Sequence, residues 1–436
     1  MFLGHLSPLD SQQIQFKSHV IQSYDDPIGI TVLGDIHLIE RETLLEKLGL
    51  RDTKNDLDLV LKAYQKWGVH CLNHLVGFFV FVLWDERQKE LLIATDHNGS
   101  RPCFYALLPN QYIYVSDSFK AIKNSISTLS INQNMFIHFS LNSMPGEETC
   151  YKEIVKLPAA HYLLIGHKKI IIKRYWSLLD SQQTLPYKTR EDYYAAFQDV
   201  FTRSVKDCLS PGINIAAHIS GGLDSSSVAS VAAQLLSAQD QTLYGFTALP
   251  RLLSGPSYRT HWQYHEMPKV QAILDQYPNI QHYRYFSDPK INIFETIAPF
   301  YTEMDQPCWS IYNLDWLLGS IQYAAQNKCP ILLKGTKGNA TISWMGQSKR
   351  ELFKNIPEYI KNYFGQSRAF HDYASILNPK FLQSNIAKNI LCNRGLYLNN
   401  HRHMLTRPGY WQRISGIRPL ATHHGVDMLD PTSTVP

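Results

Sequence analysis

The spacing of apolar residues along this chain changes part-way. Up to about residue 180 they form short alternating or continuous runs: ITVLGDIHLI, GFFVFVLWDERQKELLIATD, CFYALLPNQYIYVSD and HYLLIGHKKIIIKRYW. Turns bearing Asn, Gly, Pro and Asp separate them, and this pattern predicts strands. Two stretches in the same half, ETLLEKLGL and LDLVLKAYQKWG, carry helical spacing instead. From about Glu191 the short apolar runs NIAAHIS, TLYGFTAL, IQHYRYF and PILLKG alternate with the helix-like stretches SSSVASVAAQLLSA, MPKVQAILDQY and LDWLLGSIQYAAQ. That alternation predicts a parallel sheet wrapped by helices, with any ligand beyond the carboxyl ends of the strands. The boundary between two domains is expected at 180–190 and is placed between residues 185 and 186.

Composition narrows the partners. A chain of 436 residues is long enough for two cores, and its 44% hydrophobic and 18% charged content is that of a folded protein. The net charge of +5 comes from 42 basic against 37 acidic residues without a long basic block, so a nucleic-acid partner is not indicated. The longest apolar run, Val76 to Trp84, is too short to cross a bilayer, and the N-terminus lacks a basic segment followed by a signal core. A cytoplasmic location without a membrane partner is expected. Seven cysteines, an odd number with no close pair, point to reduced thiols.

The candidate chemistry is concentrated in GINIAAHISGGLDSSSVASVA, residues 212–232. An apolar run breaks into Ser220-Gly221-Gly222-Leu223-Asp224-Ser225 and then into a helix-like stretch. Gly221 and Gly222 put no Cβ between the backbone N–H groups and a ligand, Ser220 and Ser225 add hydroxyls, and the helix turns its positive end to the bend. Such a bend suits phosphate or pyrophosphate. The Asp224 carboxylate would repel a bare phosphate, which calls for Mg2+ between them. The segment is neither a Walker loop nor a GxGxxG turn. It resembles the pyrophosphate (PP) loop of the N-type ATP pyrophosphatases, which cleave ATP to AMP and pyrophosphate.

Residues 56 to 105, with Tyr64, Trp67, Gly68, Gly77, Trp84, Asp85, Asp96, Gly99, Arg101 and Pro102, resemble the N-terminal nucleophile glutaminase domain of asparagine synthetases. GEETCYKEIVKLPAAHYL and RYW fit the end of that domain. Together with the bend, the resemblance covers nearly the whole chain and points to the asparagine synthetase-like family, which includes β-lactam synthetases and lasso-peptide macrolactam cyclases. It implies an α+β first domain of antiparallel sheets layered with helices, over 1–185. It also implies an α/β second domain of the PP-loop, adenine nucleotide alpha hydrolase-like type, over 186–436. ATP and Mg2+ are the implied cofactors. By the same resemblance Ser220, Gly221, Gly222, Asp224 and Ser225 meet the β- and γ-phosphates, His218 and Ala248 fall where main chain meets base and ribose, and Lys334 and Gly335 form a second nucleotide-contacting strand end. Glu266 matches the glutamate of a catalytic Asp-Glu pair, with His265 at the aspartate position, and Asp224 and Glu266 are the expected catalytic groups.

The departures are specific. Phe2 stands where active glutaminases carry the cysteine nucleophile, so the first domain is expected to lack glutaminase chemistry, unless the start codon is misassigned. Asn339, in KGTKGNATISWMG, replaces the second metal-binding aspartate, and that wording is closest to the peptide-cyclase branch. Asp224 and Asn339 are the expected metal ligands. GVDMLDPTSTVP resembles a segment normally followed by more helices with an adenylate-steadying lysine, so the second domain is expected to be truncated, with Lys337 as a substitute. His261 and His265 are four apart, yet no third ligand follows; they, His401, His403, His423 and His424 are not read as metal sites. The expected activity is AMP-forming amide ligation on a side-chain carboxylate, of a free amino acid or of a precursor peptide in lasso-type macrolactam formation. An ammonia-using asparagine synthase, or an ATP-binding pseudoenzyme without turnover, are the alternatives. A peptidase partner or a homodimer fits either enzyme.

Overall fold

The computed structural model describes residues 2–6, 14–18, 24–26, 29–108, 113–140, 146–166, 169–178, 180, 185–249, 266–287, 292–305, 313–343 and 417–433. In the first half, β1 (Phe2–Leu6), β2 (Ile14–Ser18), β7 (Phe104–Leu107), β8 (Ile113–Ser116) and β9 (Val155–Lys156) form one antiparallel sheet in the order β2-β1-β8-β7-β9. A second antiparallel sheet runs β11-β10-β6-β5-β4-β3, from β3 (Tyr24–Asp26), β4 (Ile30–Leu38), β5 (Gly77–Asp85), β6 (Glu90–Thr95), β10 (His161–Gly166) and β11 (Lys169–Arg174).

Alternation along each strand divides its side chains between two cores. Val80, Val82, Leu91 and Ile93 face Cys103, Tyr105, Ile113 and Val115 of the first sheet. Phe79, Phe81, Leu83 and Leu92 face the other way, onto helix α2 (Asp56–Trp67) and Leu44 of α1 (Arg41–Leu48). On the far side of the first sheet, Phe104 and Ala106 pack on α3 (Phe119–Ser125) and on Met135 of α4 (Gln133–Ser140). The result is two antiparallel sheets face to face with helices outside both, as expected for the first domain.

The second half opens with α5 (Arg190–Lys206), whose start is fixed by a capping box between Thr189 and Asp192. Beyond it, β12 (Ile215–His218), β13 (Leu243–Leu249), β14 (Ile280–Phe286), β15 (Ile331–Leu333) and β16 (Asp427–Leu429) form a parallel sheet in the order β14-β13-β12-β15-β16. One face, with Ala217 and Leu333, packs on α6 (Leu223–Ser237) and α7 (Met267–Gln276). The other, with Ala216, Leu332 and Met428, packs on α8 (Ile293–Met304), α9 (Leu314–Gln326) and α10 (Arg418–His423). Strand order reverses at β12, and in a doubly wound sheet the ligand crevice lies beyond the carboxyl ends at that point.

Several elements differ from the sequence reading. The three N-terminal strands, α3, α4, α8, α10 and β16 were not expected. Strands of three residues, such as β16, show barely one period, and Pro299 interrupts the helical signature of α8. Ile39 and Phe78 of the first half are buried in the α6 side of the second core, so the halves share apolar contacts. No helix among the described residues is long and apolar enough to cross a membrane.

Candidate active site

Beyond the carboxyl ends of β12, β13 and β15 lies a cleft of about 760 Å³. The chain enters it as β12 ends at His218 and turns through Ser220, Gly221 and Gly222 into α6. The bend is held by its own serines. Ser220 Oγ lies 2.6 Å from Ser225 Oγ and accepts the Gly222 N–H at 3.1 Å, while the Ser226 hydroxyl donates to the Ser220 carbonyl at 2.5 Å. Glu266 occupies the N-cap position of α7 but makes no capping bond there. Its Oε2 accepts the Gly221 N–H at 3.0 Å, so one amide of the bend is already taken.

Asp224 lies in the first turn of α6, and its Oδ1 is buried with no hydrogen-bond partner among the described residues. Burial raises its carboxyl pKa; a Ser343 hydrogen bond opposes the shift and the Asp430 charge reinforces it. The loop leaving β15 presses directly on this turn. A Cβ on Gly335 would lie 2.6 Å from the Asp224 carbonyl carbon, and one on Gly338 would lie 2.3 Å from Asp224 Cγ. Only glycine permits that approach. The loop is fixed from beneath by Asp430, whose carboxylate accepts the Lys337 N–H at 3.1 Å and the Thr432 N–H and O–H at 3.2 and 2.5 Å. The Asp-Pro-Thr wording therefore describes a self-capped turn under the site.

His218, Ser220, Gly222, Asp224, Ser225, Ala248, Glu266, Gly335 and Asn339 all line the cleft. Gly221 and Lys334 do not. Lys334 is half-buried at the end of β15; burial lowers its pKa while Asp430 and Asp427 pull it back up. This side chain is thus neither in the cleft nor free in solvent. Lys337 is also turned away: it is buried, and desolvation lowers its pKa to about 8 against the opposing pull of Asp430 and Asp96. His218 keeps Nε2 buried without a partner, and burial, then the Lys334 charge, lowers its pKa to about 3. The imidazole is neutral at any working pH.

The sequence reading missed Phe246, Leu249, Ser287, Asp315, Trp316 and Thr336, which also line the cleft. Ser287 directly follows β14 and Thr336 lies three residues beyond the end of β15, positions the crevice rule marks in advance. Asp315 and Trp316 open α9 and carry no such local signal. His261, His265, His401 and His403 lie outside the described residues. His423 and His424 end α10 edge to face, and among the described residues no group of three or more His, Cys, Asp or Glu could hold a metal.

In the first half the motif residues Asp96 to Pro102 form a tight loop. Asp96 accepts the N–H groups of Phe79, Asn98 and Ser100 and the Ser100 hydroxyl. Arg101, which is 1% exposed, reaches the second half and donates to both oxygens of Asp427 at 2.8 and 2.6 Å. Arg418 bonds the same Asp427 and also Asp35 of β4, its Nε at 2.9 Å. Burial raises the Asp35 pKa, opposed by Arg418.

Comparison with known proteins accords with both architectures. Residues 23–176 match the glutamine amidotransferase domain family and residues 196–314 the asparagine synthase family. A Methanocaldococcus jannaschii protein named as glutamine-hydrolysing asparagine synthetase 2 is 22% identical over 415 residues, 93% of this chain and 76% of that one. Glutamine-hydrolysing asparagine synthetase 3 of Bacillus subtilis is 26% identical over 230 residues, 49% of this chain and 36% of that one. Amidase chyE of Penicillium rubens is 26% identical over 222 residues, 49% and 32% of the two chains. The match thus spans about three quarters of the first relative's length and about a third of the other two. With a glutamine amidotransferase domain followed by an asparagine synthase domain, each on the sheet architecture described above, the chain belongs to the asparagine synthetase-like family.

Proposed function

We propose that this chain forms amide bonds at the expense of ATP. A carboxylate oxygen of the acyl substrate attacks the α-phosphorus, pyrophosphate leaves, and an amine nitrogen then attacks the acyl-adenylate carbonyl, losing a proton as AMP departs. The observation that carries this reading is the bend Ser220–Ser225: it opens on the cleft at the point where strand order reverses, with helix α6 behind it. The helix N-terminus and the serine hydroxyls would meet the charge that gathers on the leaving pyrophosphate. Glu266 holds the bend through Gly221 and faces the cleft, where it can also orient the amine.

Mg2+ fits the residues present. It binds through one or two carboxylates and completes its shell with phosphate oxygens and water. Asp224 Oδ1, buried and unpartnered, would supply the carboxylate, and Asn339 a weaker neutral oxygen. When bound, the ion would neutralise charge on the phosphates. We also propose that residues 1–185 keep a glutaminase-type fold. The Gly338-Asn339 wording favours a peptide or secondary-metabolite carboxylate over free aspartate, with lasso-type ring closure as the corresponding reaction and ammonia-dependent asparagine synthesis as the competing one.

Pyrophosphate release with ATP, Mg2+ and candidate acids tests the reading. Aspartate plus ammonia and an Asp-bearing peptide with a free N-terminus are the two informative pairs. Wild type should exceed a Ser220→Ala/Asp224→Asn double variant by roughly a hundredfold or more, the scale of losing oxyanion-type donors. Wild-type release no greater than that of the double variant with every acid would dismiss catalysis.

A further inference from the structure

The cleft has two ends of opposite chemistry. Ser220, Gly222 and Ser225 make one end a seat for anions; at the other, Asp315, Ser287 and His218 are set among the rings of Phe246 and Trp316. The carboxylate there has no glycine bend or helix N-terminus beside it to offset phosphate charge, whereas the bend has both and Mg2+ would screen Asp224, so a triphosphate tail is seated toward the bend. Parallel strands are about 4.8 Å apart, which puts the end of β14, two strands from β12, roughly 10 Å from the bend. That is about the span from the terminal phosphates of an extended nucleotide, seated in the bend, to its ribose hydroxyls.

Asp315, on α9, is held by two residues at the end of β14. It is 8% exposed; the Tyr285 hydroxyl donates to its Oδ1 at 3.0 Å and the Ser287 hydroxyl to its Oδ2. Gly319, one turn along α9, makes this possible, since a Cβ there would lie 2.5 Å from the Tyr285 ring. Trp316 is fixed in turn by its Nε1–H, which donates to Asn313 Oδ1 at 3.1 Å, and its ring stands edge-on to His218 at 5.4 Å. An ionised carboxylate offers about four acceptor sites, and among the described residues the two hydroxyls use two of them. His218 Nε2 adds a buried polar atom without a partner at the same end. A ligand group seated here must therefore donate hydrogen bonds, carry no negative charge and tolerate aromatic neighbours. A ribose diol does all three, and carboxylates read ribose hydroxyls in other nucleotide-binding sheets.

We infer that Asp315, held by Tyr285 and Ser287, accepts hydrogen bonds from the ribose hydroxyls of the bound nucleotide and sets a preference for ribonucleotides. This rests on the nucleotide reading of the cleft given above. Tyr285, Ser287 and Gly319 are positioning residues; Asp315 makes the contact.

Equilibrium titration of the full chain with ATP, 2′-deoxy-ATP and 3′-deoxy-ATP, each with Mg2+, tests it without depending on turnover. Wild type should bind ATP roughly tenfold to a hundredfold more tightly than at least one deoxy analogue, the worth of a hydrogen bond to a charged group. In Asp315→Asn that ratio should fall toward unity, and in Ser287→Ala, which frees Asp315 on one side, it should fall by a smaller factor. Equal wild-type affinity for all three nucleotides would overturn the ribose assignment and leave the nucleotide reading standing. A ratio unchanged in Asp315→Asn would remove the role from this residue. No binding of ATP at all would overturn the nucleotide reading itself. The wild-type comparison needs no variant to fold, so the assignment stays exposed to refutation even if Asp315→Asn is unstable.

Discussion

His218 shows what a single side chain contributes when the fold surrounds it. Its folded pKa of about 3 lies below the ordinary 6.5 because burial and the Lys334 charge both disfavour the imidazolium. The unfolded chain therefore binds a proton that the folded chain refuses, and stability falls as pH drops below about 6.5. Between pH 8 and pH 5 this residue alone should cost about 2 kcal/mol. Urea unfolding at the two pH values measures it: wild type should show that loss, and His218→Leu should lack this share of it. Equal pH dependence in both proteins would mean that His218 reaches water more freely than its surroundings indicate. The same neutrality suits the cleft, because an imidazolium beside Asp315 would cancel the charge that distinguishes that end.

The elements around the cleft are organised by a loop pressing on a helix. The turn after β15 lies against the first turn of α6 so closely that Gly335 and Gly338 have no room for a Cβ. Neither glycine has the positive φ that would itself demand glycine, so the constraint is steric. Gly338→Ala should push Asp224 aside or lift the loop. The expected cost is about 1–3 kcal/mol, the usual penalty of forcing extra volume into a packed site, together with loss of pyrophosphate release. Thermal unfolding and the release assay read the two effects, and an alanine variant with wild-type behaviour in both would show that the loop yields freely. Asp430 explains why the loop should hold: its carboxylate, fixed by two hydrogen bonds from Thr432, accepts the Lys337 N–H of the loop.

Across the whole molecule, the two halves are joined by a quartet of charges, Asp35, Arg101, Arg418 and Asp427, beside the apolar contact of Ile39 and Phe78. Arg101 is the most deeply buried of the four. Replacing it by methionine keeps much of its volume but leaves Asp427 and Asp35 short of a countercharge. Breaking a buried pair in this way costs about 3–5 kcal/mol, and the partial exposure of the two aspartates puts the expected loss near the lower figure. Denaturant unfolding of Arg101→Met tests it; a loss below about 1 kcal/mol, the scale of a surface pair, would show that the quartet does not clamp the halves. Arg101 belongs to a motif that resembles part of a glutaminase domain, yet its two close hydrogen bonds are made to Asp427 of the second half.

How much of this was legible in advance follows from the distance between partners along the chain. The bend Ser220–Ser225 could be read directly, because a phosphate cradle is a local device: two glycines, two hydroxyls and a helix start within six residues. The strands of the first half and the parallel sheet of the second followed from apolar spacing for the same reason, since periodicity reports which face of a local segment is buried; the layering of the first-half strands into antiparallel sheets was implied by the family resemblance. Lys334 and Lys337 could not be placed that way, and neither lines the cleft. Asp315 of α9 depends on Tyr285 and Ser287 at the end of β14, and Arg101 meets Asp427 across a separation of 326 residues. Local sequence determines where strands, helices and a tight anion-binding turn form. Which side chains then share a cavity or a buried ion cluster is decided only when packing brings distant elements within a few ångströms, because hydrogen bonds and ion pairs act over that range and no further.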